Sequence, residues 1–143
     1  MSKSNALENS FLLLLFNATT FDGIAENDTT SPVTNLYVSL HTADPGEAGD
    51  QTTSEATYTS YDRVAVARTS GGWTVTGNAV TNVDAILFPT ATGGTDTITH
   101  FGVGTAASGS GTLLYSGTVT PNLAVSAGIA PNIPAGDLNI TED

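Results

Sequence analysis

From Leu36 onward, apolar residues recur at every second position in short runs, and this constrains the fold more than any other feature. Leu36, Val38 and Leu40 alternate with Tyr37, Ser39 and His41, the two-residue period of a strand with one face turned to a core. Further strand segments are Arg63 to Arg68, Trp73 to Thr76, Asp84 to Phe88, Thr97 to Val103, Thr112 to Thr120 and Leu138 to Thr141, separated by clusters of Gly, Pro, Asn and Ser. Short, regularly spaced strands punctuated in this way predict a mainly β fold, an antiparallel β-sandwich that is jelly-roll-like or a small barrel. Gly71-Gly72 predicts a tight hairpin, and Gly93-Gly94 and Ser108-Gly-Ser-Gly111 looser ones. The connection from Asp44 to Ser60 has no apolar period and several acids, and reads as a surface excursion.

Ahead of the strands a single N-terminal α-helix is predicted over about residues 5–17. Ser4 or Asn5 can cap it, and Asn5-x-x-Glu8 imitates a capping box. Leu7, Phe11, Leu14 and Leu15 share one face, but Leu12, Leu13 and Phe16 make the helix apolar nearly all round. Such a helix needs cover on more than one side, either from its own domain or from a neighbouring subunit. Residues 18–35 read as loop, broken by Asp22-Gly23, Asn27-Asp28 and Ser31-Pro32. The 143 residues are therefore expected to form one domain, residues 1–143, with the β-sandwich at 36–143. A chain of this length buries roughly two-thirds of its unfolded surface. It has no cysteine, so packing has to stabilise it without disulfides or thiolate metal sites.

Three Lys and Arg face 14 Asp and Glu, a net charge of −11. Phosphate recognition needs clustered cations, and Lys3, Arg63 and Arg68 are the whole supply, so no nucleic-acid partner is expected. An anionic membrane surface is disfavoured for the same reason. The longest apolar run, Phe11 to Phe16, is far short of the roughly 20 residues a membrane span requires. Lys3 followed by Glu8 makes a poor signal peptide, and the mature chain is expected to begin at its own start.

The segment Leu36-Tyr-Val-Ser-Leu-His-Thr-Ala-Asp-Pro-Gly-Glu-Ala-Gly49 sets one of two histidines beside Asp44, Glu47 and Asp50. Pro45 and Gly46 suit the second and third positions of a type II turn, which explains the residues without a ligand. The three acids lack the spacing and the closing Glu of a calcium loop. His41 falls on the polar alternation of its strand and is expected to face solvent, whereas His100, sharing a face with Ile98 and Gly102, is expected to be buried and hydrogen-bonded. No Gly-x-Ser-x-Gly elbow occurs, and no spacing pairs either histidine with an acid and a nucleophile. Gly102-x-Gly104-x-x-Ala107 follows a strand as a dinucleotide fingerprint does, but Ser108-Gly-Ser-Gly111 stands where the phosphate-binding helix would begin. The sequence thus predicts no catalytic residue, no cofactor and no metal ligand. The sequons at Asn17, Asn27 and Asn139 are ordinary in a chain this rich in Asn and Thr.

Several ordered segments together carry a likeness. They are Leu7-Glu8-Asn9, the Leu36–Gly49 segment, Tyr61-Asp-Arg-Val-Ala-Val66, Asn82-Val-Asp-Ala-Ile-Leu-Phe-Pro-Thr-Ala91, Ile98-Thr-His-Phe-Gly-Val103 and Ile133-Pro-Ala-Gly-Asp-Leu-Asn-Ile-Thr141. In these the chain resembles a family of small tailed-bacteriophage virion proteins labelled tail-fibre-like or capsid decoration (cement) proteins. It departs from the family's pattern in a longer loop at 17–35 and in Asp62 before Arg63.

The resemblance implies a structural role without an active site. The acidic, Thr- and Gly-rich surface suits an ornament on the outer capsid surface, kept soluble in high copy number, and repeats or a coiled-coil stalk, which a fibre would show, are not visible. The expectation is a cement protein that assembles with itself, as a trimer, and bridges subunits of the major capsid protein. Phe11, Leu12, Leu13 and Phe16 are expected to make the contacts, together with Asp44, Pro45, Glu47, Tyr58 and Tyr61. Deleting residues 1–20 is then expected to abolish particle binding while leaving the sheet folded. The alternative is a tail-tip or tail-fibre-associated module that binds host glycan on Trp73, Tyr58 and Tyr61. An enzyme acting on cell-wall polymer would need paired carboxylates, for which Asp44 and Glu47 are the nearest candidates.

Overall fold

The computed structural model describes residues 3–142. The chain is mainly β with antiparallel ladders, and one α-helix stands among the described residues, as the alternation predicts. Backbone contacts divide it into two compact units that exchange the chain more than once. Met1–Asn35, Val66–Ala85 and Pro134–Asp143 make the first unit, and Leu36–Ala65 and Ile86–Ile133 the second.

In the first unit, α1 spans Asn5–Asn17. Ser4 is its cap: the backbone there is extended and Oγ accepts from the Leu7 N–H at 3.4 Å. The Asn5-x-x-Glu8 box does not form, because the residue that leaves the helical conformation is one position earlier. Ala18 ends the helix at φ 53°, its N–H returning to the Leu13 carbonyl. No basic residue lies in the last turn of α1, and Arg68 serves instead. Its guanidinium donates to the carbonyls of Leu14 and Leu15 at 2.7 Å each, and to Asn27 Oδ1 and the Val33 carbonyl. One cation thus satisfies orphaned helix carbonyls at the negative end of the macrodipole and ties the 18–35 loop to them.

The helix packs on β3 (Trp73–Thr76) and β4 (Ala79–Asn82), which with β9 (Asn139–Thr141) form a three-stranded sheet in the order β3-β4-β9. Leu12, Phe16, Trp73 and Val80 are fully buried, and the Phe16 ring meets Trp73 edge-on at 5.0 Å. The unit's hairpin is β3–β4, turned by Gly77-Asn78 with Gly77 at φ 61°, the positive value a two-residue turn demands of its first central residue. Asn82 is a buried hub. Its amide donates to the carbonyls of Asp84 and Pro134, and its Oδ1 accepts from the Leu138 N–H.

The larger sheet has the order β2-β1-β6-β7, built from β1 (Asn35–His41), β2 (Val64–Ala67), β6 (Thr95–Gly104) and β7 (Leu113–Ser126). A two-stranded ladder, β5 (Ile86–Leu87) with β8 (Asn132–Ile133), completes the second unit. Ser108-Gly-Ser-Gly111 does lie in the turn of the β6–β7 hairpin. The other two expected hairpins do not form. Gly71-Gly72 leads from β2 into β3, strands of different sheets, and its tightness reflects the Gly72 and Trp73 N–H groups both returning to the Thr69 carbonyl. Gly93 instead bridges to Thr59.

Candidate functional site

The segment between β1 and β2 is the most polar part of the second unit, and the sequence reads it as a free excursion. It is fastened along its length. Gln51, Ala56 and Tyr58 are buried. The Thr42 N–H donates to the Ser54 carbonyl and the Ala56 N–H to the Leu40 carbonyl, both at 2.8 Å, so the chain returns alongside the end of β1. Asp96 accepts from the Thr57 and Tyr58 N–H groups at 2.6 and 2.8 Å. The Tyr58 hydroxyl donates to the Pro89 carbonyl at 3.1 Å. Burial, with Asp96 and Asp62 nearby, pushes the Tyr58 phenol up to about 12, so the donor keeps its proton.

His41 corrects the solvent-facing expectation. It is fully buried, because the returning segment covers the face that alternation assigns to water. Nδ1 lies 2.8 Å from the Thr53 carbonyl and Nε2 2.8 Å from Ser39 Oγ. A carbonyl only accepts, which assigns the ring proton to Nδ1 and leaves Nε2 to accept from the Ser39 hydroxyl. Burial is the main influence on the ring and holds its pKa below the usual 6.5, outweighing the Thr53 carbonyl and Glu55. Ser39 and His41 are within the reach of a nucleophile and its base, a pairing that their two-residue separation on one strand face would have revealed in the sequence. Both side chains are fully buried, so no substrate reaches Oγ. His100 pairs directly with His41 across the β1–β6 ladder, is half-buried, and lies 2.8 Å from Thr99 Oγ1 through Nδ1.

The two glycines of the apparent dinucleotide fingerprint have a packing reason. A Cβ on Gly102 would stand 2.6 Å from Ser39 Oγ and 2.7 Å from His41 Nε2, and one on Gly104 would land on the Gln51 side chain. Gln51 is itself fully buried, its amide clamped to the backbone of Ala106: Oε1 accepts from the Ala106 N–H at 2.9 Å and Nε2 donates to the Ala106 carbonyl at 3.3 Å.

Beside this clamp, Arg63 and Glu55 form a bidentate pair at 2.6 and 2.8 Å, with the Arg63 side chain 3% exposed. The same guanidinium donates to the carbonyls of Ala106 and Gly109 in the β6–β7 turn. Glu55 also accepts from the Tyr61 hydroxyl, which accepts in turn from the Leu40 N–H. The Glu55 carboxylate raises the Arg63 pKa, and burial raises that of Tyr61. Glu55, Tyr61, Asp62, Arg63 and Ala107 to Gly109 line a cavity of about 180 Å³, in which Glu55, Tyr61 and Arg63 already bond one another.

A larger cavity of about 340 Å³ is lined by Asp44, Gly46, Glu47, Gly49 and Leu113 to Ser116. Asp44 and Glu47 are exposed at its rim. Asp44 Oδ1 accepts from the Gly46 N–H at 2.9 Å, and the main-chain turn closes one step later than Pro45-Gly46 predicts, from the Gly49 N–H to the Gly46 carbonyl at 3.2 Å. Asp50 is likewise engaged, accepting from the Thr52 N–H and hydroxyl; these bonds hold its carboxyl below the usual range. Among the described residues no group of three or more His, Asp or Glu is arranged to hold a metal ion.

The residues expected to form contacts divide sharply. Leu12, Phe16 and Tyr58 are at most 2% exposed and Pro45 is buried, so these four serve internal packing and present no surface. Leu13 and Tyr61 are half-buried, whereas Phe11, Asp44 and Glu47 are open to solvent. The glycan platform loses Trp73 and Tyr58 to the interior. Deletion of residues 1–20 would remove the Phe16 partner of Trp73, so it would disrupt the first unit rather than test binding alone.

These features define a class: a mainly β protein whose conspicuous polar groups hold its own loops in place. The chain belongs to the family of podophage GP4 fiber I protein gp80, whose model matches residues 2–141. No curated protein sequence matches the chain.

Proposed function

We propose that the protein is a non-catalytic building block of a phage fibre, attached at the tail and assembling with further copies of itself. The carrying observation is the Glu55–Arg63–Tyr61 cluster with the Gln51 clamp. Charged and polar groups that an enzyme would turn toward a substrate are here bonded to Leu40, Ala106 and Gly109. The family membership supports a fibre, and the charge of −11 favours protein partners over packaged DNA.

A second reading keeps the chain on the outer capsid as a trimeric cement protein bound to the major capsid protein. The 13-residue α1 favours it, since such a helix is too short for the coiled-coil stalk of a long fibre. Copy number separates the two. Quantitative mass spectrometry of purified virions is expected to find on the order of ten copies, set by the tail's rotational symmetry. Hundreds of copies, with labelling over the capsid shell, would transfer the protein to the decoration class.

A further inference from the structure

We propose that the Asp22–Gly23 peptide is a site of spontaneous backbone modification, at which the aspartate passes through a cyclic imide into isoaspartate. The proposal goes beyond the assembly role and does not depend on it. In this reaction a main-chain nitrogen attacks the side-chain carbonyl of the residue before it. Glycine hinders that approach least, because it has no Cβ. Asp22 is the one aspartate that precedes a glycine, and no asparagine does so.

The fold leaves this peptide open. Asp22 and Gly23 are both exposed. They form the tip of a tight turn in which the Ile24 and Ala25 N–H groups donate to the Phe21 carbonyl at 2.9 and 3.0 Å, and the Phe21 N–H donates to the Ala25 carbonyl at 2.8 Å. Gly23 takes φ 73° at the third position of the turn, a value glycine adopts without strain. A Cβ built there would meet nothing within 4 Å, so no neighbour crowds the reacting atoms. Among the described residues neither the Asp22 carboxyl nor the Gly23 N–H has a hydrogen-bond partner. Other aspartates are engaged: Asp28, Asp44, Asp50 and Asp96 each accept from a main-chain N–H. Asp62, Asp84 and Asp137 precede Arg63, Ala85 and Leu138, whose side chains stand beside the attacking nitrogen.

The atoms balance without an oxidant or a cofactor. The Gly23 nitrogen bonds to Asp22 Cγ, and the side-chain hydroxyl leaves with the amide proton as water, closing a five-membered imide. Water then reopens the ring. Attack at Cγ restores aspartate, whereas attack at the Asp22 main-chain carbonyl breaks the original peptide bond and leaves the chain running through Cγ, one carbon longer. The extra carbon alters the span that the Phe21–Ala25 bonds close. The anchors further along the loop, Asn27 and Val33 on Arg68, lie outside it.

The test incubates the full chain for weeks at neutral pH in water enriched in heavy oxygen, followed by cleavage after glutamate in ordinary water. Glu8 and Glu26 release residues 9–26, in which Asp22 is the one aspartate. This peptide is expected to separate into aspartate and isoaspartate forms of equal composition, the second carrying heavy oxygen, with an intermediate lighter by one water. Because the native turn leaves the reacting groups free, the rate in the folded chain is expected to lie within a few-fold of that in urea. Asp22→Asn, which expels ammonia in place of water, is expected to form the same products many-fold faster. A wild-type peptide that stays single and unlabelled, a folded chain protected many-fold relative to the chain in urea, an Asp22→Asn peptide that does not change, or heavy oxygen entering another aspartate first would each overturn the proposal.

Discussion

At the scale of single residues the buried ion pair dominates. Arg63 is held by Glu55 and two carbonyls with almost no access to water, so removing the carboxylate leaves a cation without compensation. Glu55→Ala is expected to cost about 3–5 kcal/mol in denaturant unfolding, whereas Glu55→Leu combined with Arg63→Met is expected to cost clearly less, because the desolvation of both charges disappears together. His41 sets a pH dependence. Burial favours its neutral form, so the folded pKa lies below the unfolded value of 6.5 and the unfolded state takes up the proton first. Its stabilising effect is complete above the unfolded value and declines as pH falls from there toward the folded one. The stability difference between wild type and His41→Gln, followed by thermal melts from about pH 7.5 to about pH 5, is expected to narrow on acidification. A constant difference would show that the ring is not kept neutral. The Ser39–His41 pairing was open to reading from its two-residue spacing, but the burial of His41 and the Glu55–Arg63 pair were not. Alternation placed His41 outside because the cover comes from a segment with no apolar period, and nothing in the spacing of Glu55 and Arg63 predicts that the β6–β7 turn closes over them.

At the scale of elements, Arg68 is the case where an ordinary rule is met from an unexpected place. The negative end of α1 has no basic residue of its own, and the cation comes from just beyond β2. Arg68→Met keeps much of the aliphatic stem but strands the carbonyls of Leu14, Leu15 and Val33, and is expected to cost about 2–3 kcal/mol, with helical signal lost first in a thermal melt. A substitution at Lys3, exposed and paired with Glu142 at 2.7 Å, is expected to change stability by less than about 1 kcal/mol. The helix and most strands were legible because each carries its period within a few residues. The β3–β4 hairpin was legible in principle from Gly77-Asn78 between alternating residues, but the doubled glycine at 71 and 72 was the louder signal. β8 was not: two residues of ladder carry no period at all. Gly102 and Gly104 show the same limit, since what excludes a side chain there is Ser39, His41 and Gln51, and Gln51 arrives from outside the ladder.

At the scale of the whole molecule, composition says more than any motif. A chain with 14 acids and three cations carries mostly like charge, and the approach of a second copy works against it. This fixes the sign of a salt effect. If self-association ran through ion pairs, added salt would screen them and weaken it. If it runs through uncharged contacts against the background of a net −11, salt screens only the repulsion, and association strengthens. Sedimentation equilibrium at about 20 mM and about 500 mM NaCl, where the screening length falls from roughly 20 Å to a few ångströms, is expected to show the dissociation constant dropping several-fold in high salt. A wild type that dissociates as salt rises would place the contact among the charged loops instead.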